Sequence, residues 1–180
     1  VELRKQSVIN RVLGSTRLPA QMTSQYGEDV LLWEFFHGKR DGFYVEVGAY
    51  DGIGFSNTYF FEAIGWSGIL VEPIPECYQK CVVSRPNSRV VNAVVNNRKT
   101  LESKFSIAKG NNGIETLSFA GDNAAQLERI KREGGTVNTT TIPAYALDDI
   151  LKDHQGPIDF ISIDVEGSEM EVLQGFNLAK

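Results

Sequence analysis

Residues 42–52 read GFYVEVGAYDG, and this stretch decides the fold of the chain. The segment Phe43–Val47 is short, β-branched and aromatic, as is typical of a buried strand in a parallel sheet. Gly48 and Gly52 then allow the backbone to turn sharply and to approach a ligand closely, and a helix is predicted from Ser56 onward. A strand, a glycine turn and a helix in this order form the ligand site of open α/β sheets, at the carboxyl ends of their strands.

The acids of this turn indicate the charge of the ligand. Asp51 stands where a dinucleotide-binding fold would hold a pyrophosphate, which a carboxylate would repel. A carboxylate suits a cofactor with positive charge, and S-adenosylmethionine carries an ammonium and a sulfonium. The sequence also lacks the G-x-G-x-x-G fingerprint, so a nicotinamide-dependent dehydrogenase is the weaker alternative.

The composition indicates one globular domain that does not depend on nucleic acid. Hydrophobic residues make up 42% of the 180 residues and charged residues 23%, which is ordinary for a domain with a sizeable core. The net charge of −5 argues against a nucleic-acid partner, because phosphate binding favours a basic surface. No apolar run approaches the roughly 20 residues of a membrane span, and the charged start VELRK does not resemble a signal peptide.

The cysteines and histidines indicate neither a disulfide nor zinc. Cys77 and Cys81 lie four apart in a predicted helix and are interpreted as buried core residues, with a disulfide or a metal pair as the less favoured alternative. Neither His37 nor His154 has a Cys or His neighbour at ligand spacing. A reduced, cytoplasmic protein is therefore expected, and the spacing of the residues demands no metal.

Strands and helices alternate along the chain, which predicts a mainly parallel sheet with right-handed crossovers. The predicted strands are residues 43–47, 68–72, 89–95, 136–142 and 159–164, with a hairpin of 104–107 and 114–119. The predicted helices are residues 25–36 with Ser24 as N-cap, 57–64, 76–83, 123–133, 147–152 and 168–175. Residues 1–23 are expected to form an N-terminal arm or helix, with a helix over 4–13 as one form, and 24–180 the domain. The last strand lacks outer neighbours, so we expect the domain to be truncated at its C-terminus.

Three predicted strand ends carry acids. Glu46 precedes the glycine turn, and Glu72 ends the second strand about 24 residues after Gly48, close to the spacing at which this fold places a ribose-binding acid. Asp164 and Glu166 end the late strand. Because the carboxyl ends of parallel strands meet at one edge of the sheet, these acids are expected to converge, and such convergence raises their pKa values.

An ordered set of motifs carries a family resemblance. The motifs are SQYGED (24–29), VEVGAYDG (45–52), SNT (56–58), GWSG (65–68), VEP (71–73) and IDVEGSE (163–169). Together they resemble the FkbM family of methyltransferases over about residues 24–176. The resemblance implies a Rossmann-like class I fold, a three-layer sandwich around a mainly parallel sheet. It also implies S-adenosylmethionine as cofactor and methylation of a hydroxyl oxygen on a small molecule or saccharide.

The resemblance also implies roles for individual residues. The methionine half of the cofactor would meet the residues of the glycine turn and the start of the next helix, Glu46, Gly48, Tyr50, Asp51, Ser56 and Asn57. The ribose, the adenine and the transferred methyl would meet Glu72, Asn92, Ala93 and Asp164. The family motif at the N-terminal side places four residues beside the pocket, Gln25, Tyr26, Glu28 and Asp29.

Catalysis by such a protein requires removal of the hydroxyl proton. Asp164 and Glu166 are the predicted bases, acting singly or together. Converging carboxylates would also allow a magnesium-assisted reaction, which nothing in the spacing requires. Residues 110–135 interrupt the alternation and are expected to cover the acceptor side of the pocket. A non-catalytic binding module that retains the fold stays open as the alternative function.

Overall fold

A computed structural model describes residues 22–97, 100–111 and 113–177, which form an α/β fold. The helices are α1 (Glu28–Phe35), α2 (Tyr59–Ala63), α3 (Pro75–Ser84), α4 (Ala124–Arg132), α5 (Leu147–Ile150) and α6 (Glu169–Gln174), with a 3-10 helix at Ile114–Leu117. The strands are β1 (Phe43–Val47), β2 (Ser67–Val71), β3 (Ser88–Val91), β4 (Val94–Asn96), β5 (Glu102–Lys109), β6 (Phe119–Ala120), β7 (Thr136–Ala146) and β8 (Phe160–Ile163). The predicted helix over residues 4–13 and nearly all of the predicted arm lie outside the described residues.

β1 is an inner strand of a four-stranded parallel sheet with the order β3-β2-β1-β8. Alternate side chains of β1 enter different apolar clusters, because neighbouring residues of a strand point to opposite faces. Tyr44 packs with Trp33, Phe60 and other residues on one face, and Val45 packs with Leu147 and others on the opposite face. Helices therefore cover both faces, which explains why the strand has no polar stripe. This is the three-layer arrangement of a Rossmann-like methyltransferase fold.

The structure contains a second, mixed sheet, which the alternation of strands and helices does not predict. Its order is β4-β7-β5-β6, with β4 parallel to β7 and β5 antiparallel to both β6 and β7. β5 and β7 pair from Glu102 beside Pro143 to Lys109 beside Thr136. Both sheets border the cavity described below.

The predicted strand over residues 89–95 is wrong as a single element. The chain leaves the parallel sheet after β3 and enters the mixed sheet as β4. Between them, the Asn92 side chain donates to the carbonyl oxygens of Glu72 at 2.8 Å and Pro73 at 3.0 Å. This link holds the chain at the end of β2 and redirects it, a long-range effect that strand propensity does not report.

Other elements differ at their ends. α1 begins at Glu28 behind Gly27 (φ 95°) rather than at Gln25. The Ser24 hydroxyl accepts the amide of Gly27 and that of Asp29 in the first turn of α1, so Ser24 lies in a loop before the helix. The first arm of the predicted hairpin, residues 104–107, lies in β5 as predicted. Most of the second arm is a 3-10 helix, and only β6 pairs with β5. The long β7 extends past the predicted end at residue 142.

The cysteines lie in the core, and β8 lies at an edge of the parallel sheet. Cys77 and Cys81 are free and buried, which confirms them as core residues. Within the described ranges β8 pairs with β1 alone, so its outer edge is unpaired there. None of the helices in those ranges combines the length and the apolar character needed to cross a membrane.

Candidate cofactor and acceptor site

A cavity of about 480 Å³ opens at the carboxyl ends of β1, β2 and β8, within the usual size range of small-molecule sites. Most of the predicted site residues line it, namely Glu46, Gly48, Tyr50, Ser56, Asn57, Glu72, Ala93, Asp164 and Glu166. Two predicted residues, Asp51 and Asn92, are not among its described lining residues. The parallel topology brings the three acidic strand ends together, as the sequence analysis expects.

The glycine turn brings the backbone at the end of β1 close to the backbone at the end of β8. Gly48 has φ +88°, and a methyl group added to it would overlap the Asp164 carbonyl oxygen. Its amide donates to the Val71 carbonyl at 2.9 Å, which joins the turn to the end of β2 as well. Only glycine satisfies both the backbone angle and the close approach.

Non-glycine residues with positive φ also cluster at the cavity. Tyr50 (φ 52°), Phe55 (φ 62°) and Glu166 (φ 52°) all have this uncommon conformation and all line the cavity. Strained backbone of this kind persists where the surrounding structure enforces it, often at functional sites.

Glu72 is a buried acid at the end of β2. Its Oε2 accepts the Tyr50 amide and its Oε1 accepts the Ile74 amide, both at 2.8 Å. Burial raises the pKa of Glu72 to about 7, against the two amide hydrogen bonds, which lower it. Each carboxylate oxygen has more than one lone pair, so Glu72 retains acceptor capacity for hydroxyl groups of a ligand in the cavity.

Glu46 is buried and its carboxylate is bound by the protein itself. Its oxygens accept the Ser56 hydroxyl at 2.9 and 3.0 Å, the Asn57 amide at 2.9 Å and the Thr58 hydroxyl at 2.7 Å. A guanidinium nitrogen of Arg85 lies 3.5 Å away. Glu46 therefore orders the start of the helical segment after the turn.

Asp51 lies apart from the cavity because its side chain folds back on its own turn. Its Oδ1 accepts the Ile53 amide at 2.9 Å and the Gly54 amide at 2.7 Å, a local arrangement typical of aspartate in turns. The acidity of the cavity thus comes from other residues. Asn92 likewise holds backbone at the end of β2 and does not line the cavity.

The two acids after β8 differ in their partners. Asp164 is exposed at the cavity and its pKa is raised by desolvation and by the nearby Glu169 and Glu28 carboxylates. Glu166 accepts a hydrogen bond from the Gln126 amide at 2.9 Å and one from Arg129 at 3.3 Å. Desolvation raises the pKa of Glu166, and the Arg129 charge opposes this shift.

The rim of the cavity carries two exposed aromatic side chains on ordered backbone. Tyr26 is 69% exposed and Phe55 is 56% exposed. Ser24 pairs with Phe55 in an isolated bridge, and the buried Asp29 carboxylate accepts the Ser24 amide at 3.0 Å and its hydroxyl at 2.5 Å. Asp29 thus fixes the loop that carries Gln25 and Tyr26.

Part of the segment of residues 110–135, which is expected to cover the acceptor side, lines the cavity. It contributes Gly113, Glu115, Thr116, Leu117, Ser118, Ala120 and Arg129 to the lining. Its anchor is Gln126, whose amide donates to the Leu117 carbonyl at 3.0 Å as well as to Glu166. Glu115 is a lining residue that the sequence does not single out, because nothing in its local pattern signals that it lies near Tyr50. The pKa of Tyr50 is raised chiefly by desolvation and next by the Glu115 charge.

The charges of the lining fit a cationic ligand better than a pyrophosphate. The lining carboxylates belong to Glu46, Glu72, Glu115, Asp164 and Glu166. Arg129 is the one lining cation among the described residues, and it pairs with Glu166 and Glu133. The described part of the chain contains no group of three or more His, Cys, Asp or Glu side chains placed to hold a metal. An adenosyl sulfonium with ribose hydroxyls fits this donor set.

Comparison with known proteins agrees with this geometry. The family model of the methyltransferase FkbM domain matches residues 46–180, three quarters of the chain. No curated protein and no solved structure shows significant similarity to the chain.

Proposed function

The chain belongs to the FkbM family of methyltransferases, and we propose that it transfers a methyl group from S-adenosylmethionine to a hydroxyl oxygen of a small molecule or saccharide. The observation that carries this proposal is Glu72. It is a buried acid at the end of β2, with both oxygens fixed by backbone amides and with acceptor capacity left toward an acidic cavity. Such an acid suits the ribose hydroxyls of an adenosyl group.

The cofactor roles divide along the cavity. Glu72 would accept the ribose hydroxyls, and Ala93 would border the adenine. Gly48 would allow close approach of the backbone, and Tyr50 and Asn57 would border the methionine end. When bound, S-adenosylmethionine supplies an electrophilic methyl group, whose transfer depends chiefly on how the acceptor oxygen is positioned.

Asp164 is the proposed general base. Its raised pKa makes it a stronger proton acceptor than an ordinary aspartate. Gln126 and Arg129 already occupy Glu166, so Glu166 would hold the covering segment in place while Asp164 takes the hydroxyl proton. Glu166 would then orient the covering segment, and Asp164 would accept the hydroxyl proton.

The rim and the lining constrain the acceptor. Tyr26 and Phe55 are exposed aromatic residues of the cavity lining, which suits contact with the nonpolar face of a sugar ring or an apolar skeleton. The lining carboxylates would repel an acceptor with its own phosphate or carboxylate near the reacting hydroxyl. We therefore expect neutral or cationic acceptors.

The test of the cofactor is a binding experiment. We expect S-adenosylmethionine and S-adenosylhomocysteine to bind in isothermal titration calorimetry, NADH not to bind, and Glu72→Ala to remove the binding. Binding of NADH alone would overturn the proposal. Cofactor binding without S-adenosylhomocysteine production across a panel of neutral saccharides and alcohols would favour a non-catalytic binding module.

A further inference from the structure

Arg85 is a fully buried cation behind the glycine turn. It follows the last residue of α3, its side chain has no exposed surface, and it is not among the described residues that line the cavity. Desolvation alone would lower the pKa of Arg85, but Tyr44, Glu46 and Glu62 raise it above its ordinary value, so the guanidinium stays charged. A buried charge of this kind needs partners on every side.

One side of Arg85 faces the turn. Its Nη1 donates to the Gly52 carbonyl at 3.0 Å and to the Ser56 hydroxyl at 3.3 Å, and it reaches the Glu46 carboxylate at 3.5 Å. These three partners belong to the segment 46–56, most of whose residues line the cavity. Arg85 therefore contacts the backbone and the side chains that shape the site without entering it.

The other side of Arg85 is anchored in the core. Its Nε donates to the Glu62 carboxylate at 2.9 Å, and its Nη2 donates to the Tyr44 hydroxyl at 2.7 Å and the Thr58 hydroxyl at 2.8 Å. Glu62 is held in turn by the Ser88 hydroxyl at 2.5 Å. The guanidinium is thus held between core residues and the turn.

The end of α3 binds three consecutive carbonyl oxygens of the turn. Cys81 Sγ donates to the Tyr50 carbonyl at 3.1 Å, Ser84 Oγ to the Asp51 carbonyl at 3.0 Å, and Arg85 to the Gly52 carbonyl. A methyl group on Gly52 would lie 2.6 Å from Ser84 Oγ and 3.0 Å from Arg85 Cγ. The turn is therefore packed directly on this helix end.

We propose that Arg85 is a positioning residue for the methionine end of the cofactor site, acting through Gly52, Ser56 and Glu46. This inference rests on the proposed function for the identity of the ligand. Glu72 and Ala93, at the adenosyl end, are not among the hydrogen-bond partners of Arg85. Loss of Arg85 is therefore expected to weaken the binding of ligands that carry the amino-acid group and to leave the binding of ligands without that group nearly unchanged.

The test compares two ligands that differ in the amino-acid group. S-adenosylhomocysteine carries it, and 5′-methylthioadenosine lacks it. For Arg85→Gln we expect the Kd of S-adenosylhomocysteine to rise about tenfold or more and that of 5′-methylthioadenosine to change by less than about threefold. Backbone amides of residues 50–57 should also exchange hydrogen faster than in the wild type.

Two serines near Arg85 give a matched pair of variants. Ser84→Ala removes a bond to the turn, and Ser88→Ala removes a bond to Glu62 behind the guanidinium. Ser84→Ala should shift the ratio of the two Kd values in the same direction as Arg85→Gln, by about threefold. Ser88→Ala should lower the melting temperature without shifting the ratio. Should Arg85→Gln fail to fold, this pair decides the question.

The outcomes separate this inference from the proposed function. An unchanged Kd ratio in folded Arg85→Gln and Ser84→Ala, or an equal shift in Ser88→Ala, would overturn the role of Arg85. If the wild type binds neither adenosyl ligand, the proposed function fails. Hydrogen exchange of residues 50–57 then tests the positioning of the turn on its own, and unchanged exchange in both turn-side variants would refute it.

Discussion

The Glu72 carboxylate accepts the Tyr50 amide at 2.8 Å, and this bond joins the end of β2 to the glycine turn after β1. It fixes the proposed ribose acceptor relative to the proposed methionine end. The same carboxylate is buried, with its pKa raised to about 7 by desolvation. The charged form of Glu72 therefore destabilises the free protein, whereas it favours binding of a ligand that donates hydrogen bonds to it.

The stability of the free protein should depend on pH through Glu72. Its pKa is raised from 4.5 to about 7 in the folded state, so the folded protein binds more protons than the unfolded chain between these values. The free energy of unfolding therefore falls as the pH rises from about 4.5 to 7, by about 3 kcal/mol from this group. Glu72→Gln should lack this component. The check is urea unfolding of both proteins from pH 4.5 to 8.

Comparison with Glu72→Gln is needed because other groups titrate in the opposite sense. Burial would raise the pKa of Glu62, but the hydrogen bonds from Ser88 and the Asn87 amide and the Arg85 charge lower it overall. Parallel pH profiles for the wild type and Glu72→Gln would contradict the assignment to Glu72.

Cofactor affinity should also depend on pH, with the opposite sign. Ribose hydroxyls that donate to Glu72 favour its charged form, so binding is weakened where Glu72 is protonated. With the pKa at about 7, the affinity for S-adenosylhomocysteine should be about tenfold lower at pH 6 than at pH 8. Calorimetric titration in matched buffers measures this. A profile that is equally steep in Glu72→Gln would assign the effect to another group.

Gly48→Ala should destabilise the protein more than a change of backbone preference explains. Alanine there would adopt φ +88° and overlap the Asp164 carbonyl, so we expect a loss of more than about 2 kcal/mol. Gly134→Ala is the matched control, because Gly134 has φ +81° and no atom within 4 Å of an added methyl group. That control should lose about 1 kcal/mol. Equal losses of stability for the two variants in thermal unfolding would show that small backbone shifts relieve the overlap at Gly48 without cost.

Asp164→Asn should separate chemistry from binding. Without a proton acceptor at this position, turnover of an accepted substrate should fall by about 10²- to 10⁴-fold. The Kd of S-adenosylhomocysteine should change by less than about threefold, because asparagine keeps the size and polarity of the side chain. Single-turnover assays with labelled cofactor measure the first effect and calorimetry the second. Retained turnover in Asp164→Asn would move the base to Glu166.

Local sequence patterns predicted the elements whose formation is local. β1, β2 and β8 are predicted from short apolar runs, which are typical of buried strands. The convergence of Glu72 and Asp164 followed from topology, since parallel strands bring their carboxyl ends to one edge. The family resemblance added the cofactor and the acceptor chemistry, and the family match supports the methyltransferase part of it.

Long-range contacts set the features that the sequence did not reveal. The break at Asn92 depends on carbonyl oxygens of Glu72 and Pro73, and the turn-facing role of Arg85 depends on Gly52, more than 30 residues away. The position of Asp51 in a ligand-binding turn predicts a site residue, whereas its hydrogen bonds to the Ile53 and Gly54 amides keep its side chain within the turn. Propensity and spacing carry no information on such partners.

The passage of the chain between two sheets at Ala93 has a consequence for heat stability. The cavity is bordered by Val71 of the parallel sheet and by Val95 and Phe105 of the mixed sheet. A ligand that fills the cavity contacts both sheets. Bound cofactor should therefore stabilise both sheets together, and their thermal unfolding should shift to higher temperature in parallel as the ligand concentration rises.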